Sequence, residues 1–153
     1  MSEYVLAYEH SVRVHMPFEA FYRGLEDFAR RPQAYIETMK ACAVLEEKIA
    51  GTRRIFRRKV EFEKFSFEDI VTLRQEGELI DQVPAFGQMA SSLYLVRVRK
   101  LSSDTICVTF TYRESDKVRL PEKLACLRHR AWTEKDQKLV EQIQSTFGRQ
   151  AEQ

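Results

Sequence analysis

Asp104-Thr105-Ile106-Cys107-Val108-Thr109-Phe110-Thr111-Tyr112-Arg113-Glu114 is the stretch on which the fold turns. Ile106, Val108, Phe110 and Tyr112 alternate with Cys107, Thr109, Thr111 and Arg113. A period of two sends one set to a buried face and the other to a polar one, which is a half-buried β-strand. Ser102-Ser103-Asp104 supplies a turn just before it. Back across that turn, Met89 to Lys100 reads as the neighbouring strand, with Tyr94, Val96 and Val98 on one face and Leu93, Leu95 and Arg97 on the other. The same alternation extends further upstream. Ser66 to Arg74 sets Phe67, Asp69, Val71 and Leu73 against Glu68, Ile70 and Thr72. Glu78 to Val83 is a weaker strand stopped by Pro84, and Gly51-Thr52 joins Cys42–Ile49 to Arg53–Phe62 as a hairpin.

Outside this ladder the periodicity changes. Tyr4 to Val14 reads as an opening strand that ends before Met16-Pro17. Proline suits the first turn of a helix, and Phe18, Phe21, Tyr22, Leu25 and Phe28 then recur at helical spacing until Pro32. Gln33 to Met39 reads as a second short helix. The last segment is helical from Pro121-Glu122 to about Phe147, with Leu124, Leu127, Ala131 and Trp132 as one apolar stretch and Leu139, Ile143 and Phe147 as another. The stripe drifts between the two, which predicts a bend or a change of partner midway.

A strand, two short helices, a meander of strands and one long helix define an α+β fold. Short turns make the sheet antiparallel, and the C-terminal helix is the element long enough to cover one of its faces. One helix does not fill the concave side of a broad twisted sheet, so the pattern predicts an internal cavity. The chain, 153 residues with 44% apolar and 31% charged, is read as one domain over residues 1–153, able to bury about 70% of its unfolded surface without disulfide or metal staples. No apolar run reaches the ~20 residues of a membrane span. Met1-Ser2-Glu3-Tyr4 lacks a basic region leading into an apolar one, so a cytoplasmic location is expected. Cys42, Cys107 and Cys126 are far apart and lack zinc or disulfide spacing, and are expected as buried small hydrophobes. A net charge of +2 demands no polyanionic partner.

Tyr22-Arg23-Gly24-Leu25-Glu26-Asp27, Ala29-Arg30-Arg31-Pro32, Cys42-Ala43-Val44-Leu45-Glu46-Glu47, Phe67-Glu68-Asp69-Ile70-Val71-Thr72-Leu73 and Val108-Thr109-Phe110-Thr111-Tyr112-Arg113 follow one another in this order. In order and spacing they resemble the AtaL-like subfamily of the START and birch-pollen-allergen-like (SRPBCC) superfamily. The resemblance covers most of the chain. It implies the helix-grip fold, a curved antiparallel sheet wrapped around a long C-terminal helix, and a cavity for a hydrophobic or aromatic small molecule. It implies no activity, because the superfamily includes lipid carriers, hormone receptors, binding proteins and polyketide cyclases and aromatases, and the subfamily carries no catalytic signature. After the last strand the chain departs from the pattern: Arg113-Glu114-Ser115-Asp116-Lys117 stands where a Trp-Arg-His-Pro-like stretch is expected.

Glu46-Glu47 and Glu68-Asp69 each place one carboxylate on each sheet face. Asp69 shares its face with Phe67, Val71 and Leu73, so it is the inward one and a candidate general acid or base. Arg58 alternates with Phe56, Val60 and Phe62, which points it inward to pair with Asp69 or to hold a ligand carboxylate or phenolate. Tyr112 completes the candidate catalytic set. Tyr94 and Trp132, with an apolar body and a polar tip, are candidate ligand contacts. So are Phe110, Arg128 and Tyr35, the last at the cavity entrance. The rest of the basic cluster (Arg53, Arg54, Arg57, Lys59) reads as cross-strand partners of Glu46, Glu47 and Glu68 rather than a nucleic-acid surface. His10, His15 and His129 have no zinc spacing; they read as surface groups, with a base at the cavity mouth as the sharper alternative. There is no Gly-x-Ser-x-Gly elbow, Gly-x-Gly-x-x-Gly or phosphate loop, so no metal or nucleotide cofactor is expected. Two readings stand: a module that binds a hydrophobic or aromatic small molecule, and a secondary-metabolism cyclase, aromatase or dehydratase using buried acid–base groups in the same cavity.

Overall fold

The computed structural model describes residues 4–87, 89–115 and 120–148. Seven strands come from the alternating segments: β1 Tyr4–Val14, β2 Met39–Ala50, β3 Arg53–Phe62, β4 Ser66–Arg74, β5 Glu78–Val83, β6 Ser92–Lys100 and β7 Ile106–Ser115. They form one antiparallel sheet in the order β1-β7-β6-β5-β4-β3-β2. From β2 to β7 the chain meanders through adjacent neighbours, and β1 closes onto β7 from Tyr4↔Ser115 to Val14↔Ile106. Gly51 and Gly77 turn their hairpins with φ of 64° and 99°, a region that side chains avoid. The faces follow the expected parity: Phe56, Val71, Leu73, Leu79, Val96, Val108 and Phe110 are buried on one side.

Helix α1, Phe18–Arg30, begins after Pro17 and buries Ala20, Phe21, Gly24, Leu25, Phe28 and Ala29. The second short helix expected over Gln33–Met39 is reduced to one 3-10 turn, Pro32–Ala34. Met39 already opens β2, which pairs with β3 from Met39↔Phe62 to Ala50↔Arg53 and so leaves no room for another helical turn.

Helix α2 runs from Glu122 to Ile143 and ends in a π-helical turn, Gln144–Gly148. Its buried residues are Asp136, Leu139, Val140 and Ile143, all in the C-terminal half. The apolar stretch expected at its start does not face the sheet: Leu124 and Leu127 are 52% and 58% exposed. The inward stripe instead descends through Arg128, Trp132 and Asp136 to Val140 and Ile143, spaced as one helical face. The predicted drift came from reading only apolar residues. The cysteines also differ from expectation, since Cys126 is exposed and Cys42 and Cys107 are half-buried. Among the described residues no helix is long and apolar enough to cross a membrane.

The two helices meet where Gly24 faces Ile143. A Cβ added at Gly24 would overlap Ile143 Cγ2 and lie 2.9 Å from its Cγ1. Ile143 is fully buried and β-branched, so it has little freedom to turn away. Gly24→Ala is expected to destabilise the protein by about 1–3 kcal/mol through overpacking, despite alanine's better helix propensity. Urea unfolding measures it, and a more stable variant would refute this account of the helix contact.

Candidate functional site

Register alone assembles a polar row across the concave face. Asp81 on β5 pairs with Tyr94 on β6, Tyr94 with Tyr112 on β7, and Tyr112 with Tyr8 on β1. On the adjoining strands, Arg58 on β3 is opposite Asp69 on β4. All six strands keep these residues on the inner face by the two-residue alternation that buries their apolar neighbours. Above them α2 presents Arg128, Trp132, Lys135 and Asp136. Between helix and sheet lies a cavity of about 850 Å³. Phe28, Met39, Val60 and Val83 give it apolar walls, and Phe62, Phe67, Met89 and Leu120 lie toward other parts of its lining.

Asp136 ties the helix to the sheet. Its Oδ1 accepts from the Tyr94 hydroxyl at 2.7 Å, and its Oδ2 accepts from the Tyr112 hydroxyl at 2.7 Å with His10 Nε2 also at 2.7 Å. The residue is wholly buried. Burial and then the Asp136 charge push both tyrosine hydroxyls well above the usual phenol range. Tyr112, a candidate catalytic group by sequence, is therefore a committed hydrogen-bond donor and a poor proton source. Trp132 stacks on Tyr112 at 4.1 Å with planes 8° apart, and Arg128 lies 4.4 Å over the Trp132 ring. Arg128 is itself held by Glu114 through bonds of 2.8 and 2.7 Å. This pair occupies the corner where the sequence leaves the subfamily pattern; Asp116 and Lys117 of that stretch lie outside the described residues.

The second cluster is ionic. Arg58 Nε and Nη2 donate to Asp69 at 2.9 and 2.6 Å, Nη1 donates to the Ala29 carbonyl at 2.9 Å, and Nη2 also reaches Asp81 at 3.4 Å. Arg58 and Asp69 are both buried, so the inward pairing expected from strand parity is present. It uses both oxygens of Asp69, which leaves that carboxylate little capacity for chemistry. Asp81 is different. Burial, followed by repulsion from Asp69, holds its carboxyl well above the usual carboxylate range, with Arg58 opposing. Its Oδ1 is buried without a hydrogen-bond partner. Lys135 extends over the same row, with Nζ 4.2 Å from the Tyr94 ring centre and 5.1 Å from that of Tyr112. Burial lowers its pKa, while the Asp136 and Asp81 charges act the other way.

Two candidate contacts lie elsewhere. Phe110 is fully buried between His10 and Tyr94, with ring centres 5.1 and 6.4 Å away, and is core. Tyr35 does not line the cavity; its hydroxyl donates to Asp27 at 2.6 Å and its ring packs edge-on against Phe28. His10 supports Asp136, and His129 stacks on Tyr8 at 4.4 Å, so neither is a free surface group. In the basic cluster, Arg57 does reach across to Glu68 and Glu46, whereas Arg54 pairs with Glu26 on α1 and Glu47 with Arg30. Among the described residues no group of three His, Cys, Asp or Glu side chains is placed to hold a metal ion.

Asp81, Lys135 and Asp136 were not singled out from sequence. Asp81 carried the signal that selected Asp69, because it alternates with Leu79 and Val83, but its strand is short. Asp136 lies four residues after Trp132 and four before Val140, on the inward stripe. Lys135 had no local signal, since its direction depends on how α2 is rotated above the sheet.

A seven-stranded antiparallel sheet gripping a C-terminal helix is the helix-grip arrangement of the START/SRPBCC superfamily. Solved structures with the same fold include the ZhuI aromatase/cyclase from Streptomyces sp. R1128, 12% identical, with 94% of each chain covered and a TM-score of 0.62. The di-domain aromatase/cyclase StfQ of the steffimycin biosynthetic pathway is 6% identical with a TM-score of 0.68, over 95% of this chain and 52% of that one. A START superfamily protein from Mycobacterium smegmatis is 11% identical with a TM-score of 0.62, over 93% and 97%. No curated protein matches the sequence significantly. Residues 9–147 match the family described as AtaL, acetylaranotin biosynthesis cluster protein L, and the chain belongs to that family.

The ionic cluster makes an ordered prediction. Arg58→Met strands two buried carboxyl groups and is expected to cost about 3–5 kcal/mol. Asp69→Asn is expected to cost less, because Asp81, relieved of its neighbour's charge, ionises and takes over Arg58. Urea unfolding of both variants at neutral pH tests the order, and equal or inverted losses contradict it.

Proposed function

We propose that the protein binds a hydrophobic or aromatic small molecule in the cavity between the sheet and α2. The supporting observation is the cavity itself, about 850 Å³ with apolar walls and a few convergent polar groups, the pattern of small-molecule sites. Trp132, the one tryptophan of the chain, lies on its lining beside Tyr112 and Arg128, so its fluorescence reports occupancy directly. In this reading Arg58 and Asp69 hold the floor, Tyr94, Tyr112 and Trp132 offer flat surfaces, and the ligand's apolar body meets Val60, Val83 and Phe67. A cytoplasmic location fits this role and belongs to the same proposal.

A second reading, an enzyme that moves a proton on a carbonyl-bearing substrate, is favoured by one group. Asp81 is a carboxyl on the cavity wall whose pKa burial and Asp69 raise well above the usual range, and its Oδ1 has no hydrogen-bond partner. That is what a general acid requires, and neither Asp69 nor Tyr112 meets it. Aromatase/cyclase neighbours share the fold, which makes cyclisation or dehydration of a polyketide-like carbonyl compound the reaction class to try first.

Val83→Phe, which fills the apolar wall without adding a second tryptophan, is expected to weaken binding of a hydrophobic aromatic probe by about tenfold or more, followed by Trp132 quenching. Native mass spectrometry of the protein from its own host complements this, and unaltered binding by the filled variant refutes the cavity as the site. For the enzymatic reading, Asp81→Asn is expected to retain binding and lose turnover. A general acid works only while protonated, so the wild-type rate should fall as pH rises through the elevated Asp81 pKa. A rate that instead climbs through that range excludes Asp81 as the acid.

A further inference from the structure

The cations that line the cavity are not equally paired. Arg58 is committed to Asp69 and the Ala29 carbonyl. Arg128 is matched by Glu114, which takes both of its terminal nitrogens. Burial and Asp69 raise the Asp81 pKa well above the usual carboxylate range, and the nearest cation to its Oδ2 is Arg58 Nη2 at 3.4 Å. Lys135 has no such partner: among the described residues no carboxylate lies within 4.0 Å of its Nζ. Its charge rests on the faces of Tyr94 and Tyr112, and the Asp136 carboxylate behind those rings is occupied by two hydroxyls and His10.

The unsatisfied polar atoms point the same way. Arg128 Nε and Asp81 Oδ1 are buried without hydrogen-bond partners, and buried polar groups left unpaired cost stability unless something else meets them. An Nε–H only donates, and a protonated carboxyl donates as well. Lys135 Nζ has three hydrogens and only π-faces beneath it. The cavity therefore presents donors and positive charge, and lacks acceptors to match.

We infer that the ligand is a flat hydrophobic molecule bearing an anionic oxygen, a carboxylate, phenolate or enolate, and that Lys135 is the residue that receives it. This rests on the cavity reading above and narrows it to a substrate class. The anion sits where an ammonium is poorly hydrated and held above two aromatic rings, so it meets a cation that water does not screen. Arg128 Nε and the Asp81 hydroxyl are the further donors available to the same or adjacent oxygens. If Asp81 serves as an acid, an enolate held by Lys135 is the form of carbonyl substrate that it would reprotonate: the C–H bond forms at the enolate carbon, the carbonyl returns, and Asp81 is left as carboxylate.

Two fluorescent probes of similar shape test this, anilinonaphthalene sulfonate, which carries an anionic oxygen group, and neutral N-phenylnaphthylamine. Wild-type protein is expected to bind the sulfonate about tenfold more tightly. Lys135→Met should erase that preference while binding the neutral probe as before, which also shows that the variant is folded; Lys135→Arg should retain it. Neutral-probe binding without a sulfonate preference in wild type overturns the inference and leaves the cavity reading standing, and this comparison needs no variant. A preference that survives in Lys135→Met assigns the anion to another cation and overturns the role of Lys135. Failure of wild type to bind either probe overturns both the inference and the cavity reading.

Discussion

Asp136 is the point on which the rest of the structure hangs. A carboxylate buried to zero exposure is costly unless its oxygens are fully engaged, and here three groups from three strands engage them: His10 from β1, Tyr94 from β6 and Tyr112 from β7. Bonds of this kind are directional and charge-assisted, so they fix how far along the sheet α2 lies and how it is rotated. C-terminal to Asp136 the helix settles onto core through Leu139, Val140 and Ile143. N-terminal to it, Arg128 and Trp132 hold the helix off the sheet, and the cavity occupies the gap. The hollow thus follows from a single polar anchor placed partway along one helix, with apolar packing on only one side of it.

That geometry also divides labour among the polar groups. Tyr94, Tyr112 and His10 are committed to Asp136, and Asp69 is committed to Arg58, so four residues with reactive side chains serve to hold the walls. What remains open to a bound molecule is the smaller set left over: Asp81, Lys135 and the Nε of Arg128. Asp81 owes its elevated pKa first to burial and then to Asp69. The buried ion pair therefore has a second effect beyond cohesion. By fixing a negative charge beside Asp81, it raises the pKa of that carboxyl.

How much of this the sequence reveals depends on the range of the interaction. Strand parity is local, and it placed Asp69 and Arg58 on the inner face, opposite each other, before any coordinates. The same parity applied to Leu79, Asp81 and Val83 would have added Asp81, but a six-residue strand offers few repeats from which to read a period. For α2 the difficulty was chemical. The inward stripe passes through Asp136, and a search for apolar residues breaks there, so Leu124 and Leu127 were taken for the buried face although they are exposed. Tyr35 and Phe110 failed for a tertiary reason. Whether an aromatic residue lines a cavity or fills the core depends on which neighbours reach it first, here Asp27 and Phe28 for Tyr35 and His10 and Tyr94 for Phe110.

The family's fold accommodates carriers and catalysts because the cavity is made by what the helix leaves unfilled, and its lining can change without disturbing the anchor. In this chain the lining is neither plainly apolar nor a complete catalytic constellation. A carrier of neutral lipid would gain nothing from a lysine laid over two aromatic rings, an orphaned guanidinium N–H and a carboxyl oxygen without a partner, each of which costs stability when the site is empty. Their retention is accounted for if the occupant supplies oxygen acceptors and negative charge. Were a carbonyl compound to enolise in this cavity, these groups would meet the charge that develops, and preorganised donors in a partly dry site stabilise such charge without reorganising. Binding an anionic aromatic ligand and catalysing its proton transfer are then two uses of one arrangement, separated by whether Asp81 is close enough to the reacting carbon to release its proton.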